Sequence, residues 1–290
     1  MDPRVFPPRL VIDPSLPPEV SLQLRASPHL LREARRGKRP AQPYHPTLLF
    51  VIPGLLLLSW MVADTEGMVV AGLVMALAGV LRWIAVGATN RDTRRRLELA
   101  HQHQAHYILP TDLDYPCQVL LRRAQDATDT ILASEVHRAG LIDSVANNVT
   151  LPEEVWQIST RLSRLARMHH EHGRIVPREL PPGMDEAFKP YTSALDAAWT
   201  SLSKRVRQLE KYATQVVHAD EVYRAHRRLQ VLVDRTPDYQ RLVAETVQDE
   251  LAHTHIRELA QQAQHMRELF EESIDQARQA AGHLFRTPLS

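Results

Sequence analysis

The sequence has few glycines and a single cysteine, and both scarcities exclude classes of protein. Its ten glycines form no phosphate-binding loop and no nucleophile elbow, so nucleotide-dependent and α/β-hydrolase chemistry have no signature here. The lone Cys117 cannot form an intrachain disulfide and suits a reducing compartment. It follows Pro116 at a predicted helix start, where a thiol can be somewhat acidified, but an unreactive small side chain is the simpler interpretation.

A strong excess of either charge is also missing. The chain has 35 Lys and Arg residues against 34 Asp and Glu, a formal net charge of +1. A nucleic-acid-binding domain normally has a marked basic excess, because it neutralises phosphates. Nucleic acid is therefore not a predicted partner.

Ionisable side chains are nearly absent from two apolar runs within residues 47–90. The first, about residues 47–63, has none, and the second, about 68–87, has only Arg82. A helix over the first run extends about 25 Å, within the range of membrane-spanning helices. The sequence thus predicts an all-α membrane protein with a two-helix transmembrane hairpin in the lipid bilayer. Two buried helices of a soluble core are the alternative interpretation.

The charges around these runs predict the topology. The connecting turn, 64–67, contains Asp64, Glu66 and Gly67 but no Lys or Arg, whereas basic residues flank the hairpin. Since segments rich in Lys and Arg stay cytoplasmic, we expect a multi-pass protein of the cell (inner) membrane with both termini cytoplasmic. Small residues on the second span permit close helix packing: Gly72, Ala76 and Gly79. The basic residues that orient the hairpin are Arg35, Arg36, Lys38, Arg39, Arg91, Arg94, Arg95 and Arg96.

Residues 1–46 contain half of the chain's 20 prolines. Frequent proline and a lack of apolar periodicity predict a mostly disordered cytoplasmic arm with a basic end. Residues 30–39 are either a short basic helix against anionic headgroups or a simple topology signal.

The chain beyond the hairpin is predicted to be a cytoplasmic helical domain. In residues 91–172, apolar spacing predicts a helix continuing from the second span, a helix over 116–146, and a third that begins with a capping box at Thr150 and Glu153. The proline-rich segment 173–184 is a linker, because its prolines interrupt any helix.

Residues 185–284 show heptad spacing, and Thr236 with Pro237 predicts a helix start in their middle. Two long helices joined by a short turn run antiparallel, so we expect a long antiparallel coiled-coil hairpin and a short tail, 285–290. The apolar stripe of this hairpin is expected to pack against the 116–172 helices, against a second copy in a homo-oligomer, or against another protein. The predicted seam residues are Leu195, Trp199, Leu202, Val206, Leu209, Ile256, Leu259, Met266, Phe270 and Ile274.

A repeated Glu-Leu-Ala-His pattern raises the question of a metal site. Glu98 with His101, and Glu250 with His253, have the Glu-x-x-His spacing of di-iron carboxylate bundles. However, His103 lies about 200° around the helix from His101, and Glu98 adjoins the arginines that follow the second span. Solvated polar faces explain the histidines more simply, so we predict no cofactor and regard an enzyme as the minority hypothesis.

These patterns leave three hypotheses for function. The first is a membrane-anchored helical scaffold or regulator that acts through protein contacts of its coiled coil. The second is an oligomeric two-span effector that perturbs or gates the bilayer, and the third is a carboxylate and histidine metalloprotein. Helical stripes form cores or interfaces far more often than cofactor sites, so the first is preferred.

Overall fold

A computed structural model describes residues 7–37, 92–176, 185–246 and 249–286, with the side chains in these ranges except those of 185, 240 and 243–260. The described residues are almost wholly helical, which confirms the all-α class. They form two compact units: a small unit within Ser15–Tyr107, and a large unit made of Met1–Pro14 and Ile108–Ser290.

Much of the predicted membrane region lies outside the described residues. That applies to both spans, the small residues Gly72, Ala76 and Gly79, the turn residues Asp64, Glu66 and Gly67, and the basic residues Lys38, Arg39 and Arg91. Among the helices that are described, none combines the length and apolarity needed to cross a membrane.

The described part of the small unit contains three α-helices: α1 (Pro18–Arg25), α2 (Pro28–Arg35) and α3 (92–102). Pro18 and Pro28 stand in the first turns of their helices, where a missing N–H leaves no helical bond unmade. The prediction of disorder is therefore wrong for residues 7–37. Periodic apolar residues, not the proline content, decide the outcome, because they make a buried core: Leu24, Leu30, Leu31, Ala34, Leu97 and Ala100.

The first described residues are held against the large unit's own helix α4 (Tyr115–Ala133). The Gln125 side-chain amide accepts a hydrogen bond from the Arg9 backbone N–H and donates one to the Arg9 carbonyl, both at 2.9 Å. Strand β1 (Val11–Ile12) follows and forms a two-stranded sheet with β2 (Tyr107–Ile108). The buried Gln125 amide thus bonds the Arg9 backbone in the way that a neighbouring strand would, and it holds the residues before β1 against α4.

After α4 the chain forms the short helix α5 (Glu135–Arg138) and the long helix α6 (Ser144–Ile175). The predicted continuous helix 116–146 is wrong, because Ser134 has an extended backbone (ψ 152°) and caps α5. Gly140, with φ +71°, follows the end of α5 in the left-handed region that favours glycine.

The predicted helix start at Thr150 is wrong as well. Asp143 accepts a hydrogen bond from the Ala146 N–H at 2.8 Å, so α6 already begins at Ser144. Thr150 donates to the Ala146 carbonyl inside the helix, and Glu153 bonds Gln157 instead of a free amide. The residues of a capping box are present, but both side chains form hydrogen bonds with residues four positions away inside the same helix.

The large unit continues with α7 (Asp185–Asp234), α8 (Thr236–Thr246) and α9 (Asp249–Arg286). Helices α7 and α9 run antiparallel, because Arg205 bonds the carbonyl of Leu284 whereas Tyr223 lies against Phe270. The helix start predicted at Thr236 coincides with the start of α8. Half of α7 packs with α4, α6 and α9 in one apolar core that runs from Leu202 to Ala219.

Two polar pairs cross this core. Arg205 of α7, 5% exposed, forms a bidentate ion pair with Glu154 of α6 at 2.5 and 2.8 Å. The Tyr212 hydroxyl and the Asn147 amide are hydrogen-bonded at 2.9 Å, and both residues are buried. Because buried polar groups are costly without partners, these pairs fix how α6 and α7 align.

Candidate interaction surface

The apolar core that surrounds α7 ends at Asp220. The Asp220 carboxylate accepts hydrogen bonds from the backbone N–H groups of Glu135 (3.0 Å) and Val136 (2.8 Å), so it caps α5 from a distant helix. Ala219, one residue earlier, is fully buried. Among the described side chains of α7, none beyond Ala219 is buried.

Beyond this point α7 and α9 continue as a two-helix structure, here called the distal hairpin (residues 221–246 and 249–270). Its apolar contacts centre on Phe270, which stacks on the His226 ring at 5.0 Å with an interplanar angle of 3°. Tyr223 lies 5.8 Å from Phe270, and the Arg227 guanidinium lies 5.9 Å from the Tyr223 ring. Ring stacking thus replaces the aliphatic packing of the core.

The end of the distal hairpin exposes apolar side chains, here called the tip patch. Val231, Leu232 and Val233 are 56%, 49% and 47% exposed, and the patch also includes Tyr239 (48%) and Leu242 (57%). Consecutive helical residues point about 100° apart, so the three in α7 cover more than half of the helix circumference. One neighbouring helix cannot cover all three directions.

Most of the predicted seam is internal to the chain. Leu202, Val206, Leu209 and Ile274 are buried in the large unit's core, and Leu195, Trp199, Met266 and Phe270 are half-buried. The side chains of Ile256 and Leu259 lie outside the described residues. The sequence left open whether the seam is covered by the same chain, by a second copy or by another protein. The structure shows that helices of the same chain cover its buried residues.

Sequence reasoning missed the tip patch because heptad spacing over residues 185–284 does not show which apolar positions remain exposed, as Val233 does at 47%. The signal was present in the unbroken run Val231, Leu232 and Val233 on a helix. Three or more consecutive exposed apolar residues have no place on a soluble helix unless they serve a function.

Of the four candidate metal residues, the structure describes the side chains of Glu98 and His101. Glu98 lies 3.3 Å from the Arg94 guanidinium, and the Nδ1 atom of His101 lies 2.8 Å from the Gln104 amide. The side chains of Glu250 and His253 lie outside the described residues. No group of three or more His, Cys, Asp or Glu that is able to hold a metal ion occurs among the side chains that are described.

Cys117 does not have the environment of a reactive thiol. It is 1% exposed, and its N–H donates to the Asp114 carboxylate, which caps α4. Burial, followed by the interaction with Asp114, raises the pKa of the Cys117 thiol. This environment agrees with the unreactive side chain that the sequence favoured over an acidified thiol, because desolvation and the capping carboxylate both oppose the thiolate.

An open depression lies beside α4 and α7 on the surface of the large unit. Its lining contains Arg123, Trp199, Thr200, Ser203 and Arg207. Arg123 is bound by Glu210 through hydrogen bonds of 2.6 and 2.7 Å. This lining offers the hydroxyls of Thr200 and Ser203 beside two arginines and the Trp199 indole.

Comparisons with protein-family models, with curated proteins and with solved structures give no match. Function is therefore argued from the residues alone.

Proposed function

We propose that this protein is a membrane-anchored helical scaffold or regulator that acts through protein contacts at the tip patch of its distal hairpin. The observation that carries this proposal is the exposure of Val231, Leu232 and Val233 on consecutive positions of one helix. In water this surface leaves several aliphatic side chains hydrated, which is unfavourable. A partner that covers them removes this unfavourable hydration.

The membrane anchor is argued from sequence. The runs 47–63 and 68–87 together contain one ionisable residue, Arg82, and each is long enough to cross a bilayer. Arginines flank the pair on both sides, and both termini are then cytoplasmic. Alkaline carbonate extraction and reporter fusions at residues 37, 66 and 290 test this part. Release of the protein by carbonate, or an external terminus, contradicts it.

The tip patch is tested separately by site-specific photo-crosslinking in cells. A photoreactive amino acid replaces Leu232 in the full chain, and the matched control replaces Val149 of α6, which is 67% exposed and equally aliphatic. We expect a discrete crosslinked band from position 232 and none from position 149. The band's mass then distinguishes a second copy from a different protein.

A substitution test complements the crosslinking. The triple change of Val231, Leu232 and Val233 to Ser removes the exposed aliphatic surface without touching the buried core, so the helix content should persist. We expect the crosslinked or co-purified partner to be lost, whereas changing Val145 and Val149 to Ser should leave it bound. An equal effect of the two sets, or none from the triple change, contradicts the proposed surface.

A further inference from the structure

Within the small unit, helices α2 and α3 pack parallel to each other. Near their starts, the Arg96 guanidinium donates to the Ser27 hydroxyl at 2.9 Å. At their ends, the Gln104 side-chain amide donates to the Ala34 carbonyl at 3.4 Å, and Arg35 donates to the Gln104 carbonyl at 3.3 Å. The starts of the two helices therefore lie together, and so do their ends.

This parallel arrangement separates basic residues that the sequence had placed in one topology signal. Arg94, Arg95 and Arg96 lie in the first turns of α3, where Arg96 contacts Ser27, and Arg25 ends α1 two residues before Ser27. We call these four arginines the start cluster. Arg36 follows the end of α2, about 15 Å further along the axis at about 1.5 Å per residue. That distance exceeds the Debye length of about 8 Å at physiological salt.

The arginine at the end of α2 is engaged in the fold. Arg35 donates to the carbonyls of Gln104 and Tyr107, and its guanidinium lies 5.4 Å from the Tyr107 ring centroid. Leu30, Leu31 and Ala34 face inward and are buried. Residues 30–35 therefore direct their apolar face into the core of the small unit.

The start cluster remains accessible. All four of its arginines are exposed, although Arg94 forms a surface ion pair with Glu98, 56% exposed, and Arg96 donates to Ser27. Such pairs contribute little. Arg94 follows the predicted second span by seven residues, inside the distance of about 15–20 residues over which basic residues respond to the membrane.

We propose that the start cluster, Arg25 with Arg94, Arg95 and Arg96, binds the phosphate of anionic lipid headgroups at the cytoplasmic surface. The inference rests on the proposed membrane anchor. Guanidinium groups suit this ligand, because they hold phosphate oxygens in pairs of parallel hydrogen bonds.

The test uses the full-length protein in neutral detergent micelles, titrated with phosphatidylglycerol or phosphatidylcholine and followed by native mass spectrometry. We expect wild type to prefer phosphatidylglycerol. Arg94→Gln with Arg95→Gln should weaken phosphatidylglycerol binding about 30-fold, equivalent to about 1 kcal/mol for each arginine. Phosphatidylcholine binding should not change.

Two matched variants separate lipid binding from general effects. Arg32→Gln with Arg36→Gln removes two exposed arginines further along α2 and should keep wild-type phosphatidylglycerol affinity. Arg94→Lys with Arg95→Lys keeps the charge and should keep most of the affinity. Equal loss in the two Gln variants, no loss in either, or loss in the Lys variant as large as in its Gln counterpart overturns the proposal.

Two further outcomes also overturn it: equal affinity of wild type for the two lipids, and displacement of phosphatidylglycerol by soluble glycerol phosphate at the same concentration. Carbonate extraction of the wild type is run first. Release of the protein by carbonate refutes the membrane anchor itself. If the protein stays in the membrane pellet but shows no preference for phosphatidylglycerol, only the start cluster is refuted.

Discussion

Asp220 of α7 accepts a hydrogen bond of 2.8 Å from the backbone N–H of Val136, the second residue of the four-residue helix α5. One carboxylate of α7 therefore caps the start of α5, 84 residues away in sequence. The same carboxylate bonds the adjacent N–H of Glu135. The negative charge lies at the positive end of α5, where the helix dipole favours it.

Replacing Asp220 by Ala should destabilise the large unit by about 1–3 kcal/mol, because two backbone donors lose a charged acceptor. Thermal unfolding of the detergent-solubilised chain, followed by circular dichroism, measures the effect. Glu221→Ala is the matched control, since Glu221 is exposed on the same turn of α7. Equal melting temperatures for the two variants would show that the cap has no energetic role.

Removing one member of the ion pair between Arg205 and Glu154 should cost about 3–5 kcal/mol, because the remaining charge stays buried without its partner. Arg205 also donates to the Leu284 carbonyl at 2.6 Å, so its loss loosens the end of α9 as well. The double variant Arg205→Met with Glu154→Leu should be more stable than either Arg205→Met or Glu154→Leu alone. Denaturant unfolding of all three measures this, and additive losses would contradict a buried pair.

Tyr212→Phe should destabilise the large unit by about 1–3 kcal/mol, since the buried Asn147 amide loses its hydroxyl partner while the ring remains. The ring contact between Tyr212 and Phe285, 6.4 Å between centroids, is kept in this variant. The unfolding midpoint in denaturant measures the loss. Tyr191→Phe is the control, because Tyr191 is 65% exposed, and it should unfold like the wild type.

Stability should fall as the pH rises above 9. Burial raises the pKa of Cys117 above its ordinary value of 9.0, so the unfolded chain releases this proton first. The contribution of the buried Cys117 thiol to the free energy of unfolding is complete below pH 9. Above pH 9 this contribution falls by at most about 1.4 kcal/mol per pH unit. Burial also raises the pKa of Tyr212 from 10.0, but that group acts only above pH 10.

Unfolding free energies at pH 8, 9 and 10 measure this dependence. Cys117→Ala should flatten the profile between pH 9 and 10, although it lowers stability at every pH by leaving a small cavity. In the native wild type, a thiol reagent should modify Cys117 only after unfolding. Rapid modification without unfolding would contradict the buried position.

The amino-acid sequence by itself determined the helical class, because apolar residues recur at helical spacing over most of the described chain. Local chemistry also located the start of α8 at Thr236 and Pro237, since capping preferences act within one turn. Sequence did not locate the break after α4. Ile131, Val136 and Leu141 fit one helix by spacing, while Ser134, Gly140 and Asp143 held the actual signal.

Only the tertiary structure decided which parts of the apolar stripe on α7 are core and which are surface. Leu202 and Val233 are both apolar residues of α7, but Leu202 is buried in the core of the large unit, whereas Val233 is nearly half exposed. Likewise, the parallel packing of α2 and α3 decided that Arg35 is bound within the fold and Arg95 is exposed. Periodicity reports which face of a helix is apolar, whereas contacts between residues distant in sequence decide what covers it.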